Sequence, residues 1–548
     1  MDLKAQVSNV EEVEGKGVAH NHIAGNALLL NADGGIRRLP IPSSDPNDPL
    51  NFPLWMKAGI IVSSCWFAIM SLAVIGGLGA ILETFMELYG REGYNPNTIL
   101  LLSTLPSLMV GIGNYIVLPF ALAYGRRPAF LMAALCLVIS TAGCAASTNF
   151  AGHLTGRVFQ GLTAGATESL LPLMLTEITF MHQRALVFGL YWSFQTAFSS
   201  ALSLGSSYET AALSWRWYYG IFTIAAGIGL FLGIFFSFET RFSRPATSIN
   251  GHVIVTDEFG VTRILDEDEG RAYLAAHMSY DSEDQYATPK LEQSYTQRLG
   301  VWSGKSPRAG RIIIEAFRTM MQSLTSPGIV YAILVPSITI GSAVAISLTY
   351  NDVLVNHYGW PAKSVGLINI APMPAAFLAM AAAGYGGDRI TLWAARRNGG
   401  VAIPEHRLIP LIIPFVTGIV GMLLYAFTAD NSSHNGSWAG PVLGWGIFEF
   451  AFVCTLITST TFAAECWPQN PGPALVLVVG TKNIISFAIS YALNYMVTAH
   501  GYKWSIGVLT GVFAGVFIAG VPIYFINPRW RKRHAEKEAA RKSQSSNM

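Results

Sequence analysis

The chain has 548 residues, of which 51% are hydrophobic and only 12% are charged, with a formal net charge of +2. A soluble domain carries about 25% charged residues, so this composition excludes an ordinary soluble protein and indicates a membrane protein. The nearly balanced charge gives no reason to expect a nucleic-acid partner. The five cysteines show neither CxxC nor Cys/His ligand spacing, and we therefore expect no metal site and no cofactor.

The first 50 residues are polar and mixed in charge, without an apolar run beside a small-residue cleavage site. This pattern does not fit a signal peptide. We therefore predict that residues 1–56 form a cytoplasmic tail and that the first spanning helix is an uncleaved insertion signal.

Twelve apolar runs follow, each long enough to cross the hydrocarbon as a helix that rises about 1.5 Å per residue. Helices are expected because a spanning segment must satisfy its own backbone polar groups in lipid. The runs are 57–82, 98–123, 129–148, 150–176, 185–207, 216–238, 328–350, 363–385, 407–427, 438–462, 472–497 and 504–526. The fold class predicted from them is an all-α membrane protein with twelve transmembrane helices.

A polar stretch over residues 239–327 divides the runs six and six, and it contains the acidic sequences ILDEDEGR and SYDSEDQYATPK. We interpret this stretch as a solvated cytoplasmic loop. The predicted organisation is one six-helix half over 57–238, this loop, a second half over 328–526, and a basic cytoplasmic tail over 527–548. The charges of the tail either bind anionic lipid or only set the topology.

Lysine and arginine in the short loops predict the orientation of the chain. The basic side carries Arg126, Arg127, Arg184, Arg241, Arg244, Arg389, Arg396 and Arg397, whereas the opposite side carries only Arg91, Arg216, Lys363 and Lys503. Both termini are therefore expected in the cytoplasm. Two N-x-Ser sequons, at Asn431 and Asn435, fall on the outer side, where glycosylation is feasible.

The fourth run carries Arg157 and Glu168, although a charge in hydrocarbon is costly. The two residues are 11 positions apart, which places them on one helix face, about 16 Å apart along the axis. Gln160 lies on the same stripe, so this face should line the bundle interior or a water-filled path. The structural alternative is that Arg157 binds backbone carbonyls and that Glu168 pairs with Arg157 or with another fixed cation.

The second half carries similar groups. Glu449 lies inside the tenth run, and Lys482 and Asn483 lie inside the eleventh. Runs four and ten hold equivalent places in the two halves, and each carries one acidic group. Two such groups facing a cavity would bind a proton, a cation or the cationic part of a substrate. Lys482 is then either a counter-charge or a packing partner.

Aromatic and amide side chains in two further runs are candidates for the wall of a site. Tyr191, Trp192 and Gln195 lie in the fifth run and Trp66 lies in the first. The alternative is that these residues only pack within the bundle.

Several motifs resemble those of the major facilitator superfamily. YGRRP at 124–128 is similar to the family's cytoplasmic turn between helices two and three. LTGRVFQGLTAGA at 154–166 resembles its Arg-x-x-Gln-Gly motif in helix four, and GYGGDR at 384–389 resembles the matching turn after helix eight. Together with DPNDPLNFPLWMK, HQRALVFGLYWS, WRWYYGIFTI and ETRFSRP, they resemble the fungal twelve-helix drug:proton antiporter group, in the branch related to yeast histidinol and polyamine transport.

The resemblance implies two six-helix bundles, alternating access, a central site between the bundles, and proton coupling. It places Arg157 and Gln160 in the helix-four motif. It also implies that two cytoplasmic turns brace the halves in the outward-facing state. These turns are formed by Gly125, Arg126 and Arg127 and by Gly387, Asp388 and Arg389.

The sequence departs from the family pattern at two points. Leu122 and Ala123 stand where the first turn usually has an Asp-Arg pair. The segment after Gly189, LYWSFQTAFSSALSLG, lacks the proline of a helix-five motif that is associated with export.

We expect a secondary transporter of a small organic compound rather than an enzyme. It should be proton-coupled, should lie in the lipid bilayer of the plasma membrane and should act as a monomer. Export of a fungal secondary metabolite, toxin or drug is the favoured function. Uptake of a polyamine or another organic cation is the alternative, which the carboxylates Glu168 and Glu449 favour.

A membrane receptor or a membrane-embedded enzyme is the remaining class of function. The sequence shows no zinc-ligand helix, no G-x-S-x-G turn and no phosphate-binding glycine loop. This class is therefore disfavoured.

Overall fold

The computed structural model of the chain describes residues 42–43, 45–242, 247–249, 252–256, 262–265, 293–302, 309–397, 403–429, 437–466 and 471–546. Helices dominate because long apolar runs must satisfy their backbone groups internally in lipid. Helices α1 to α8 form the first half and span Leu54–Gly76, Leu82–Arg91, Pro96–Ile99, Leu101–Tyr124, Arg126–Ala146, Phe150–Glu177, Met181–Ala212 and Trp215–Phe236.

Two helices, α9 (Tyr295–Arg298) and α10 (Ala309–Ser323), belong to the connector between the halves. Helices α11 to α17 form the second half and span Pro327–Asp352, Pro372–Ala379, Gly386–Arg397, Ile412–Ala429, Ala439–Cys466, Pro471–Ile518 and Gly520–Ser546. Short 3₁₀ segments cover Pro49–Asn51, Gly77–Ile81, Ala362–Ile370 and Pro404–Leu411, and π-helical turns cover Val353–His357 and Met380–Tyr385.

Nine helical stretches of the described chain are long and apolar enough to cross a membrane. Helices α6 and α7, which contain predicted runs four and five, have the length but are less apolar. Runs eleven and twelve share one continuous stretch, which bends at Gly501, where φ is 79° and ψ is 174°. The predicted number of twelve is consistent with these helices.

The connector contains a small sheet that its polar composition did not predict. Strands β1 (Thr247–Ile249), β2 (His252–Thr256) and β3 (Thr262–Leu265) pair antiparallel in that order. In the register, Thr247 lies opposite Ile254, and Ile254 lies opposite Ile264. Valine and isoleucine are frequent in these segments and favour extended backbone. Strands therefore form locally, although the connector as a whole is acidic.

The described residues form two apolar cores, which correspond to the two halves. The first core lies mainly in α1 to α8 and includes Leu170, Trp192 and Tyr219. The second lies mainly in α11 to α17 and includes Met422 and Phe513. This division agrees with two helical bundles.

Gly125 makes the sharp turn between α4 and α5. Its φ is 113°, a backbone conformation that side chains with a Cβ rarely adopt. The turn ends α4 at Tyr124 and lets α5 begin at once with Arg126. The glycine therefore sets the position of the arginine pair that follows it.

The two halves lie in close contact where α4 passes α16. A Cβ atom on Gly111 would lie 2.7 Å from the carbonyl oxygen of Gly480 and 2.8 Å from Cγ1 of Ile484. One turn further along α4, the Tyr115 hydroxyl lies 2.6 Å from Oγ1 of Thr481. Backbone is thus in contact with backbone across the boundary between the halves.

We predict that Gly111→Ala destabilises the protein, because the added methyl group meets a backbone oxygen that cannot rotate away. Overpacking of this kind costs about 1–3 kcal/mol, which should lower the apparent unfolding temperature followed by tryptophan fluorescence in detergent. The matched control is Gly143→Ala in α5, where no atom lies within 4 Å of the added carbon. Equal unfolding temperatures for the two variants would contradict the close contact.

Candidate functional site

Arg157 lies on the inner face of α6 and is fully buried. Its guanidinium donates to the carbonyl oxygens of Leu102 (2.8 Å), Val74 (2.8 Å) and Ile75 (3.1 Å) and to Oε1 of Gln160 (2.8 Å). These acceptors hold α6 against the end of α1 and the start of α4. The observed contacts therefore match the structural alternative for Arg157, a clamp on backbone carbonyls, and none of them goes to Glu168.

Glu168 pairs with a cation from the other half. Its Oε1 lies 3.1 Å from Nζ of Lys482, and the two side chains are only 8% and 3% exposed. The Asn483 amide donates to the other carboxylate oxygen and also to the carbonyl oxygen of Val479, at 3.0 Å. Three predicted site residues, from α6 and α16, thus meet at the boundary between the halves.

Aromatic and hydroxyl groups of α7 surround this ion pair. Nζ of Lys482 lies 5.7 Å from the ring centroid of Trp192, within the range of a cation–π contact. Tyr191 donates to the carbonyl oxygen of Thr167 (2.8 Å), next to Glu168. Gln195, one turn further along α7, donates to the hydroxyl of Ser199 (3.2 Å) on its own helix. Tyr191 and Trp192 therefore form part of the wall, and Gln195 lies one turn away.

Glu449 is the second acidic group and lies on α15. It is only 7% exposed, and within the described residues it makes no hydrogen bond or ion pair. One turn earlier, the indole N–H of Trp445 also lacks an acceptor in the described chain. The ring of Tyr350 lies 6.2 Å from that of Trp445. A carboxyl group and an indole N–H thus lie buried together without protein partners, which is unusual for polar groups.

Sequence reasoning missed Trp445 and Tyr350. Trp445 precedes Glu449 by four residues and so shares its helix face, and this spacing was the available signal. Tyr350 lies almost a hundred residues away in the chain, and no local pattern connects it with Glu449.

The first predicted turn holds a charge cluster at one end of the first half. Arg126 donates to Oε1 of Glu177 at 3.0 and 2.7 Å, and its backbone N–H donates to Glu239 at 2.9 Å. Arg127 donates to the carbonyl oxygens of Ile234 (2.7 Å) and Ser237, at the end of α8. Cations suit the last carbonyls of a helix. Both arginines therefore bind the end of the first half, including the residues at and just after the end of α8.

The second half has a corresponding cluster. Arg407 lies 2.6 Å from Oδ1 of Asp388 and 3.0 Å from Oε1 of Glu465. Arg389 instead stacks on the ring of Tyr385, at 4.4 Å from its centroid. Glu177 ends α6 and Glu465 lies near the end of α15, which are equivalent helices. Neither glutamate nor Arg407 was among the predicted residues. The two glutamates lie near the ends of equivalent helices, and this correspondence could have indicated them from the sequence.

Residues before α1 and residues of the connector cover the first cluster. Arg127 donates to the carbonyl oxygens of Leu299 and Gly300, both at 3.1 Å. The guanidinium of Arg298 lies 5.0 Å from the ring centroid of Phe52, and Tyr295 donates to the carbonyl oxygen of Phe235 at 2.8 Å. This part of the connector is therefore attached to the first half.

Further hydrogen bonds between the halves lie at the end of the bundle remote from the two arginine clusters. The Asn351 amide donates to the carbonyl oxygen of Ala80 (3.2 Å). Ser207 donates to the carbonyl oxygen of Lys363 (2.8 Å), and Asn494 donates to Asn97. The halves are thus joined at this remote end and at the central ion pair.

The remaining predictions concern metals and glycans. No group of three His, Cys, Asp or Glu residues in the described ranges could hold a metal ion. Asn431 and Asn435 lie outside the described residues, so glycosylation there stays a prediction.

Residues 58–488 match the family model of the Major Facilitator Superfamily, which covers most of the chain. The chain belongs to this superfamily. This transporter is 23% identical to an uncharacterized MFS-type transporter of Schizosaccharomyces pombe, over 96% of the chain and 94% of that protein. It is 22% identical to Protein HOL1 of Saccharomyces cerevisiae, over 94% of each chain. It is 20% identical to the efflux pump radE of Floropilus chiversii, over 89% and 83%.

Solved structures agree on the fold. The xylose transporter XylE from E. coli superposes with a TM-score of 0.53 at 12% identity, over 84% of this chain and 97% of that one. The predicted helical membrane fold is therefore confirmed. Membership of the superfamily confirms that the chain is a multi-pass membrane transporter rather than an enzyme.

We predict that Lys482→Met destabilises the transporter, because it leaves the Glu168 carboxylate without its cation. Removing one partner of a buried pair costs about 3–5 kcal/mol, whereas replacing both partners by apolar residues is often neutral. Thermal unfolding in detergent should therefore show a lower midpoint for Lys482→Met and recovery in Glu168→Leu/Lys482→Met.

Arg91→Met is the matched control, because Arg91 pairs with Glu87 at side-chain exposures of 82% and 67%. Its unfolding midpoint should not change. A Lys482→Met protein as stable as this control would show that the central pair does not hold the halves together.

Proposed function

We propose that this transporter exports a small organic compound, such as a fungal secondary metabolite, toxin or drug, in exchange for protons. The observation that supports the proposal is the ion pair of Glu168 and Lys482 at the boundary between the halves, with the unpaired Glu449 on α15. The relative named as an efflux pump supports the direction of transport.

The central ion pair has to open if the halves separate at this level during alternating access. A desolvated pair is stable only while both charges keep their partners. A substrate group that replaces either partner, or a proton taken up by Glu168, removes that stability. The pair therefore links events at the site to the distance between α6 and α16.

Glu449 is the proposed carrier of the coupling proton. Intramembrane acidic groups that face the bundle interior are typical of proton pathways. Since no protein group binds Glu449 within the described residues, its carboxyl group is available to a proton in one state and to solvent or substrate in another. Arg157 and Gln160 are proposed to brace the same pathway from α6.

The proposal includes an orientation and a location. The arginine clusters around Arg126 and Arg407 lie in the cytoplasm, and the contacts near Asn351 and Ser207 face outward, because basic loops remain on the cytoplasmic side. The two turns then act as braces of the halves during the cycle. The transporter works as a monomer in the plasma membrane, with both termini and the connector in the cytoplasm.

Glu449→Gln should abolish uphill transport but preserve exchange. Glutamine keeps the shape of the side chain and cannot release a proton, so steps that need net proton movement stop. The measurement uses yeast that lack their own drug exporters and are loaded with fluorescent amphipathic compounds. Export should depend on the pH gradient and should fall in the variant to the level reached with a protonophore.

Exchange of labelled for unlabelled compound across vesicles needs no net proton movement and should survive in Glu449→Gln. Glu87→Gln, an exposed carboxylate on α2, is the matched control and should transport normally. Full uphill export by Glu449→Gln would refute its role as the proton carrier, and export that ignores the pH gradient would refute proton coupling.

Uptake of an organic cation is the second candidate function. Glu449 offers a negative charge beside the aromatic rings of Trp445 and Tyr350, and such a combination binds ammonium groups. A polyamine or a similar amine would then occupy the site that the first proposal gives to the proton.

Labelled spermidine distinguishes the two candidates in yeast deficient in polyamine uptake. If the second is correct, the transporter should bring spermidine into the cell faster at acidic than at neutral pH. Glu449→Gln should abolish this entry and Glu87→Gln should not. Absence of entry through a correctly localised transporter would exclude the second candidate and leave export untouched.

A further inference from the structure

Helix α10 lies in the connector, outside the predicted spanning runs, and it divides into three faces. Viewed down the helix axis, successive residues are rotated by about 100°, and we set Arg311 at 0°. The buried side chains then centre on about 135°, the exposed apolar side chains on about 275° and the polar side chains on about 10°. The buried set is Ala309, Ala316, Thr319, Met320 and Ser323. The exposed apolar set is Ile314, Phe317 and Met321, and the polar set is Arg311, Glu315, Arg318 and Gln322.

The buried face packs on both halves. Ala316 and Met320 share an apolar core with Leu118 and Leu122 at the end of α4. Helix α10 also contacts α16 of the second half. It therefore lies across the boundary between the halves, at the end that carries the arginine clusters.

The apolar face is strongly exposed. Ile314 is 71% exposed, Met321 is 56% exposed and Phe317 is 42% exposed. Leu324 continues this face beyond the helix, and Val330 on α11 follows it after a few residues. Since α11 is a spanning helix whose exposed apolar side chains face lipid, the stripe on α10 continues a lipid-facing surface.

The charges are ordered around the helix. Arg318 lies about 65° and Arg311 about 85° from the centre of the apolar face, whereas Glu315 lies about 125° away, on the side nearer the protein. Neither arginine forms an ion pair or a hydrogen bond within the described residues. Long cationic side chains beside an apolar stripe reach the headgroups of the lipids whose chains meet the stripe.

We propose that α10 is a membrane-docking helix that binds anionic phospholipid through Arg311 and Arg318 while Ile314, Phe317 and Met321 enter the acyl-chain region. Its opposite face holds α4 and α16 together, so lipid binding strengthens a strap between the two halves. The strap lies at the end of the bundle that carries the arginine clusters. The hydrogen bonds of Asn351 and Ser207 join the halves at the opposite end.

The test uses the full chain in vesicles of phosphatidylcholine with phosphatidylserine, and it needs no substrate. A cysteine carrying an environment-sensitive fluorophore is introduced by Ile314→Cys on the apolar face or by Gln322→Cys on the polar face. Label on the five native cysteines is measured in the unsubstituted chain and subtracted. Lipids with a nitroxide on the acyl chain should quench the probe at position 314 several-fold more than the probe at 322.

Selectivity is measured with the same probe and with nitroxide placed either on phosphatidylserine or on phosphatidylcholine. Phosphatidylserine should quench more, by up to about fivefold per arginine at an anionic surface. Arg311→Gln/Arg318→Gln should remove the difference and leave quenching by phosphatidylcholine unchanged. Met321→Cys replaces Ile314→Cys if the latter does not fold.

Two results would overturn the proposal. Equal quenching at positions 314 and 322 would show that the helix does not lie in the membrane surface. If phosphatidylserine and phosphatidylcholine quench equally while Arg311 and Arg318 are present, the arginines do not select anionic lipid. The same follows if the preference for phosphatidylserine persists in Arg311→Gln/Arg318→Gln.

Discussion

The cost of taking a charge out of water determines how the two halves of this transporter are built. Buried cations of the described bundle have acceptors arranged around them. Arg157 has four, Arg126 has Glu177 and Lys482 has Glu168. A buried ion pair gains little stability over an apolar pair, but losing one partner is expensive. The charges therefore fix which helices must stay together, and the pair of Glu168 and Lys482 fixes a helix of one half to a helix of the other.

This distribution separates rigidity within each half from contact between the halves. At the basic-loop end, Arg126 and Arg407 bind glutamates of their own half, and Arg127 binds the end of α8 and the connector. At the opposite end, polar groups such as Asn351 and Ser207 bind backbone across the boundary. Neutral hydrogen bonds are weaker than charge-assisted ones. The strong bonds therefore keep each bundle intact, while weaker ones, with the central pair, join two bundles that have to move relative to each other.

Sequence patterns predicted the faces of helices better than the partners of residues. The stripe of Arg157, Gln160 and Glu168 is buried, as its spacing indicated. The partners were not predictable, because residues 11 positions apart on a helix cannot touch. The acceptors of Arg157 come from α1 and α4, and the donors to Glu168 come from α16. Tyr350, the aromatic neighbour of Trp445 on another helix, was missed for the same reason. Helix α10 was missed for another reason. Its apolar residues are spread over two faces of a polar-looking segment, so they form no continuous run.

The glycine contact between α4 and α16 also bears on how such a protein changes over evolutionary time. A side chain at position 111 would meet the backbone oxygen of Gly480, and one at position 480 would meet the ring of Tyr115. Neither position can accept a larger residue until its neighbours have shifted. A single mutation in this seam, the contact between α4 and α16, is therefore expected to be unfavourable by itself. Tyr191 and Trp192, which line the central ion pair, instead present side chains to the path. Lineages can therefore acquire new substrates by altering the walls of the path while they inherit the seam between the bundles.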